Sequence, residues 1–169
     1  RFNTSEESSA VMLNRNGEIN LITGGTGATG TTRLKITSDG SISTPTLGTN
    51  NVRIGENAGN SIASGGNYNT VVGKDAGTAL TTGDANVAMG FQALATEDAN
   101  GTNTAIGYQS LKTLNVGADG NNTAVGYIAG VFLTTGTVNT IIGSLAGDAL
   151  TDADQNVAVG YRALTTDKK

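Results

Sequence analysis

The sequence has no cysteine, no histidine and no tryptophan, and it contains a single proline. The lack of cysteine excludes disulfides, zinc–thiolate sites and a cysteine nucleophile. The lack of histidine removes the commonest general base and metal ligand from any catalytic scheme. Aromatic residues make up only 4% of the chain, so a core must be thin and aliphatic. No apolar run approaches the ~20 residues that cross a bilayer as a helix.

Positive charge is also scarce. The 169 residues include 10 basic and 14 acidic side chains, and the basic ones form no cluster. Nucleic-acid-binding domains usually carry a basic patch, so we expect neither nucleic acid nor an anionic membrane surface as a partner. The length suits one domain or two small ones. Because the sequence starts at Arg1 and stops inside a repeat, we expect a piece of a longer protein.

One nine-residue phrase recurs seven times from residue 51 onward, at spacings of 17 to 19 residues. Its copies read NVRIGENAG, NTVVGKDAG, NVAMGFQAL, NTAIGYQSL, NTAVGYIAG, NTIIGSLAG and NVAVGYRAL. Each begins with an asparagine, namely Asn51, Asn69, Asn86, Asn103, Asn122, Asn139 or Asn156. Each contains an invariant glycine, namely Gly55, Gly73, Gly90, Gly107, Gly126, Gly143 or Gly160.

The other columns of the repeat predict how one coil is built. The residue before the invariant glycine is always apolar and mostly β-branched, which predicts a buried strand position; the column is Ile54, Val72, Met89, Ile106, Val125, Ile142 and Val159. The invariant glycine predicts positive φ or a backbone approached too closely for a Cβ. A small residue follows three places later. A large aliphatic residue then stands either four places after the small residue, as Leu80 does, or directly after it, as Leu94 does.

This period predicts a β-solenoid. About 17 residues are too few for common helical repeats, which need ~33 or more. Glycine, asparagine and threonine favour turns and strands over helix. We expect two short strands and two turns per coil, with coils stacked ~4.8 Å apart. The asparagine column predicts a ladder of stacked side-chain amides or a turn former, with a glycan-binding surface as the alternative.

An aromatic residue follows the invariant glycine in four copies: Phe91, Tyr108, Tyr127 and Tyr161. A coil with only two or three apolar side chains buries little, so we expect the stack to oligomerise. Aromatic residues are enriched in protein interfaces, which makes this column a candidate trimer interface. The alternative is an aromatic stripe on a solvated surface.

Copies such as NTAIGYQSL and NTAVGYIAG resemble the repeats of the YadA-like head, the left-handed parallel β-roll of trimeric adhesins. They resemble even more closely the NTAVGYQAL-type repeats of phage and virus tail-fibre proteins. The match covers residues 51–164 and implies a homotrimer. The fold expected is all-β, a left-handed parallel β-roll of about seven coils that follows a small β-hairpin segment. The period exceeds that of the usual adhesin head, which implies longer loops.

The first part of the chain follows another pattern, and we divide the sequence into residues 1–48 and 49–169. "VMLNRNGEINLIT" predicts a hairpin with its turn at Asn16-Gly17, and "RLKITSDGSIST" predicts a second one with its turn at Asp39-Gly40. The phrase "RLKITSDGSI" also resembles one that precedes repeats in many phage fibre proteins. We expect a small β cap or shaft, with a junction near residues 44–50.

Residues 25–30 read G-x-G-x-x-G, the dinucleotide-binding pattern. That site requires a helix to begin at the last glycine, because the pyrophosphate binds at the helix N-terminus. The sequence that follows, "TTRLKITSDG", has a strand pattern instead. We therefore expect a loop between two hairpins and no bound cofactor.

Three other activities have weak support in the sequence. A carboxylate pair can hydrolyse glycosides, but the acidic residues fall mostly in inter-repeat loops, where they usually solvate a surface; these are Asp75, Asp84, Glu97, Asp98, Asp119, Asp148, Asp152 and Asp154. "DADQN" at 152–156 offers oxygen ligands for Ca²⁺ but lacks the rest of an EF-hand loop. An ice-binding face needs a regular threonine ladder, which valines interrupt. We expect no enzymatic activity and no metal.

The function that the resemblance implies is structural and adhesive. It implies a segment of a trimeric tail fibre or surface fibre that projects, or forms, a tip for binding a host receptor. The head of a bacterial trimeric autotransporter adhesin is the alternative. The expected partners are further copies of the chain and a host surface glycan or protein, without membrane insertion. The expected location is the virion surface or an extracellular appendage, with receptor contacts from loops 95–102 and 112–121.

Overall fold

The structure, a computed structural model, describes residues 10–23, 31–36, 38, 42–43 and 48–165. These described residues contain strands and turns and no helix, as the sequence predicted. The chain divides into two compact units, Arg1–Pro45 and Thr46–Lys169.

The first unit contains a four-stranded antiparallel sheet in the order β1-β2-β3-β4. Its strands are β1 (Ala10–Leu13), β2 (Ile19–Thr23), β3 (Thr31–Ile36) and β4 (Ile42–Ser43). The β1–β2 turn has φ 76° at Gly17, and the side-chain oxygen of Asn14 accepts the N–H groups of Asn16 and Glu18. Both predicted strand pairs are present, while the predicted turn at Asp39-Gly40 lies outside the described residues.

The second unit is a parallel β-solenoid. Its seven strands are β5 (Val52–Ile54), β6 (Thr70–Val72), β7 (Val87–Met89), β8 (Thr104–Ile106), β9 (Thr123–Val125), β10 (Thr140–Ile142) and β11 (Val157–Val159). Consecutive strands pair in parallel, each residue opposite its equivalent in the next repeat. About six turns of the solenoid link these seven strands, one fewer than the predicted number of coils.

The second strand predicted for each coil does not form within the described solenoid. That part of the coil is a run of turns, although its backbone still bonds to the next coil, as where the N–H of Gly77 donates to the carbonyl of Ala93 at 2.9 Å. The reason is local backbone geometry. Gln92 and Leu94 have φ of 54° and 50°, in the left-handed region, which a β-strand does not contain.

The solenoid core is narrow, and the prediction that the residue before the invariant glycine is buried was wrong. The central residue of each three-residue strand points inward; for β6 to β11 this column is Val71, Ala88, Ala105, Ala124, Ile141 and Ala158, all buried. Because strand side chains alternate, the residues on either side point outward. The column before the invariant glycine is therefore on the outside, with Ile54 60% and Met89 39% exposed.

The second part of each coil completes the core. The predicted small residue is buried from Ala58 to Ala146. The large aliphatic residue is buried at both predicted registers, as Leu80 and Leu94 show, whereas Leu164 in the last coil is 48% exposed. Successive coils therefore place a large aliphatic side chain in the core although the sequence position of that residue differs between repeats.

Candidate functional surfaces of the solenoid

The repeated asparagines form a hydrogen-bonded ladder along the solenoid. They are buried from Asn51 to Asn139. In one step of the ladder, Asn139 donates its backbone N–H and its Nδ2 to the Oδ1 of Asn122, at 2.9 and 3.0 Å. The Nδ2 of Asn122 donates to the carbonyl of Gly136 at 2.9 Å, which ties the strand to the turn that closes the coil. Burial leaves these amides no access to a surface ligand.

The invariant glycines stand where the backbones of neighbouring coils lie close together. Their φ values run from 119° at Gly160 to 142° at Gly126, a region that side chains rarely adopt. A Cβ on Gly107 would lie 2.2 Å from the carbonyl oxygen of Gly126 in the next coil. The sequence suggested that this column needs glycine either for a positive φ or because another backbone lies too close for a Cβ. The structure shows both features in this column.

The outward residues of β5–β11 form a surface that we call the sheet face. It comprises the first and third residue of each strand, which are valine, threonine, isoleucine or methionine throughout. Ile142 in the penultimate strand is 40% exposed, and Val157 and Val159 in the last strand are more exposed still. Sequence reasoning placed half of this surface in the core, so the sheet face was not predicted.

Phe91, Tyr108, Tyr127 and Tyr161 form the aromatic column, next to the sheet face. The first three rings stack, with 5.3 Å between centroids in each pair and interplanar angles of 24° and 18°. Tyr108 and Tyr127 are 42% and 51% exposed. Ser144 takes the equivalent position between Tyr127 and Tyr161. The first three rings of the column thus form a partly exposed stack.

In the first two coils the position of the aromatic column is charged. Lys74 Nζ lies 2.8 Å from a carboxylate oxygen of Glu56, and this hydrogen bond raises the pKa of Lys74. Beside this pair, Asn57 donates to Asp75 at 3.0 Å. The surface therefore changes from polar to aromatic along the solenoid axis.

Glu97 is an exception to the expectation that acidic residues in the inter-repeat loops usually solvate the surface. It is fully buried, eleven residues after Asn86, where the preceding coil has Leu80 eleven residues after Asn69. The N–H groups of Asn100 and Val116 donate to its carboxylate, both at 3.3 Å. Burial raises the pKa of Glu97, and the backbone hydrogen bonds oppose that shift. Aligning the repeats on their asparagines would have exposed this substitution in the sequence.

The sequence raised the question of a bound ligand at two other segments, residues 25–30 and "DADQN". Residues 25–30, where the sequence led us to expect a loop and no cofactor, lie outside the described residues; β3, which follows them, pairs antiparallel with β2. Among the described residues, acidic side chains form no group of three or more that could hold a metal ion. Within "DADQN", Asp154 accepts both the N–H and the hydroxyl of Thr137, at 2.6 and 3.0 Å.

No helix with the length and apolarity needed to cross a membrane occurs in the described part of the chain. No known protein family, no curated protein and no solved structure matches this chain. The resemblance to tail-fibre and adhesin repeats therefore rests on the repeat phrases themselves and stays a prediction.

Proposed function

We propose that this chain is a structural and adhesive segment of a homotrimeric surface fibre, such as a viral tail fibre. The solenoid acts as a stiff spacer, and three copies associate along its length. Loops 95–102 and 112–121 contact a receptor on the host surface, for which a glycan is our first choice. Threefold repetition of a weak contact raises the overall affinity through avidity.

The observation that carries this proposal is the exposed sheet face. The interior of the coil is already filled, yet valine, isoleucine and methionine continue along the outside of all seven strands. Large contiguous apolar patches on a soluble chain mark interaction sites. Because every coil repeats the same pattern at the same spacing, one copy offers another an equally regular surface, and identical chains associate symmetrically.

The loops between strands support the proposed receptor binding. Asn103 and Asn122 bound the longest coil, at 19 residues, and loop 112–121 lies within it. The ladders of asparagine and glycine hold the coil spacing fixed while this loop differs from its equivalents in length and composition. A fixed scaffold with variable loops is the usual arrangement for binding surfaces.

Light scattering on a size-exclusion column tests the association. We expect a mass of three chains that persists on dilution. Val125→Asp, in the middle of the sheet face, should reduce the mass to one chain, because a carboxylate would be buried without a partner. Phe132→Asp is the matched control, since Phe132 is 58% exposed but lies outside the sheet face, and it should leave the mass unchanged.

A third variant separates the two candidate interfaces. Tyr127→Ser puts in the aromatic column the residue that Ser144 already has there, so the fold should tolerate it. If this variant dissociates the trimer while Val125→Asp does not, the interface is the aromatic column and our argument from the sheet face is wrong. A folded monomeric wild-type chain would overturn the trimeric fibre altogether. Binding of the wild type to host cells, lost after enzymatic removal of surface glycans, tests the receptor class.

A further inference from the structure

Glu97 is a buried acid in a position that is aliphatic in five of the other six repeats and is Asp167 in the last one. Counting eleven residues from the ladder asparagine gives Ile62, Leu80, Leu114, Leu133 and Leu150 in the coils around it. Glu97 is fully buried like Leu80 and Leu114, its neighbours in this column. A carboxylate with no contact to water is costly unless it is paired, and the ion pairs of the described residues involve other glutamates, Glu18 and Glu56.

The hydrogen bonds of Glu97 join two loops. One carboxylate oxygen accepts the N–H of Asn100, within its own loop 95–102, and the other accepts the N–H of Val116, in loop 112–121 of the next coil. The side chain of Asn100 donates in turn to the carbonyl of Val116. Val116 is itself buried, so loop 112–121 closes over the carboxylate.

The charged groups on the packed elements are mostly acidic. Asp98 follows Glu97 in its own loop, and its charge raises the pKa of Glu97 further. Asp84 belongs to the preceding turn, where its carbonyl accepts the N–H of Thr102. From the next coil come Asp119, which accepts the N–H of Gly101 at 3.3 Å, and Lys112. The elements packed against Glu97 therefore carry three carboxylates and one ammonium group.

We propose that Glu97 is a pH-dependent latch that holds loops 95–102 and 112–121 together when it is protonated and releases them when it is ionised. A neutral carboxyl stays buried at low cost and keeps acceptor capacity for both N–H groups. An ionised carboxylate is far better solvated by water, so ionisation favours states in which the loops open. This latch does not depend on the proposed fibre function, since it concerns the described coils of a single chain.

Amide hydrogen exchange measured by NMR between pH 5 and pH 8 tests the latch, with protection factors corrected for the intrinsic pH dependence of exchange. In the wild type, protection of the Asn100 and Val116 amides should fall by roughly fivefold or more as pH rises, the size expected for a poorly compensated buried group. Leu133, at the equivalent aliphatic position two coils later, gives the control amide, which should keep its protection.

Two variants make the result decisive. Glu97→Gln keeps the shape without an ionisable group, so protection at Asn100 and Val116 should become independent of pH. Glu97→Leu restores the aliphatic residue of the column; it should also remove the pH dependence, while lowering protection at all pH values because both acceptors are lost. The latch is wrong if wild type and Glu97→Gln share the same pH dependence, or if wild-type protection rises with pH.

Discussion

Replacement of Gly107 by alanine tests the packing of the solenoid most directly. Gly107 has φ 131°, and its Cβ would meet the carbonyl oxygen and carbon of Gly126 at 2.2 and 2.7 Å. Both atoms belong to the backbone of the next coil, which the parallel pairing of β8 with β9 holds in place. No side-chain rotation can relieve this contact, so two coils must separate or their strands must shift.

The expected loss has two parts. Holding a residue with a side chain at a φ that favours glycine costs about 1–3 kcal/mol. Forcing an extra carbon into a packed interface costs about another 1–3 kcal/mol. We therefore expect Gly107→Ala to lower the free energy of unfolding by about 2–6 kcal/mol, enough to unfold a marginal chain.

Two other glycines separate these contributions. Gly160 has φ 119°, but no heavy atom of the described chain lies within 4 Å of its added Cβ; Gly117 also has open space there, with no positive φ. In urea denaturation followed by circular dichroism, Gly160→Ala should cost about 1–3 kcal/mol from strain alone. Gly117→Ala should change stability by less than about 0.5 kcal/mol. If all three variants unfold at the same urea concentration, the reasoning about coil spacing is refuted.

Three further predictions concern single side chains. Asn122→Ala removes a buried acceptor and a buried donor of the ladder, so we expect a loss of about 2–4 kcal/mol in urea denaturation; an equal loss in the exposed Asn115→Ala would contradict the ladder's role. Ile128 has φ 59°, and asparagine tolerates this region better, so Ile128→Asn should gain about 1 kcal/mol in the same assay. Gln109→Asn, at φ 55° in the preceding coil, is its control: Gln109 is not β-branched, and the change removes the 2.8 Å hydrogen bond from its Nε2 to Gln92, so any gain should be smaller. A loss in Ile128→Asn would count against backbone strain. Burial raises the pKa of Glu97, so its contribution to stability is fully present below the ordinary carboxyl pKa and is lost as pH rises through the raised value in the folded state. Thermal unfolding should therefore show Glu97→Gln gaining on the wild type as pH increases, and a constant difference would contradict this.

The repeat made the solenoid predictable. Recurrence at 17 to 19 residues excludes the common helical repeats, and strands in equivalent positions of stacked coils pair in register. The role of the invariant glycine was also predictable, because glycine at the same position of seven repeats indicates a positive φ or a close backbone contact. Asn16-Gly17 marked the first hairpin for a similar reason, since its turn needs positive φ.

The direction of the strand side chains was not predictable from the pattern alone. In "NTAVG" the threonine and valine flank an alanine, and alternation fixes only that the outer two share a face. Hydrophobicity favoured valine for the interior, but Ala124 is the buried residue of this strand. The same central position faces inward where it holds alanine and where it holds the larger Ile141, so its orientation follows from its place in the coil and not from the size or hydrophobicity of one side chain. Glu97 was missed for another reason, because its loop position suggested exposure.

The narrow coil links folding to association. The central strand position is alanine in four of the seven strands, so this column buries little apolar area. Because each Å² of buried apolar surface stabilises the fold by about 25 cal/mol, the column contributes little to the free energy of folding. Other large apolar side chains, such as Met89 and Ile142, lie on the sheet face, where a single chain leaves them partly in water. Under the proposed trimer, much of the hydrophobic stabilisation of the solenoid comes from contacts between copies. Its unfolding midpoint should then rise with protein concentration, as for any chain that is stabilised by its own partners.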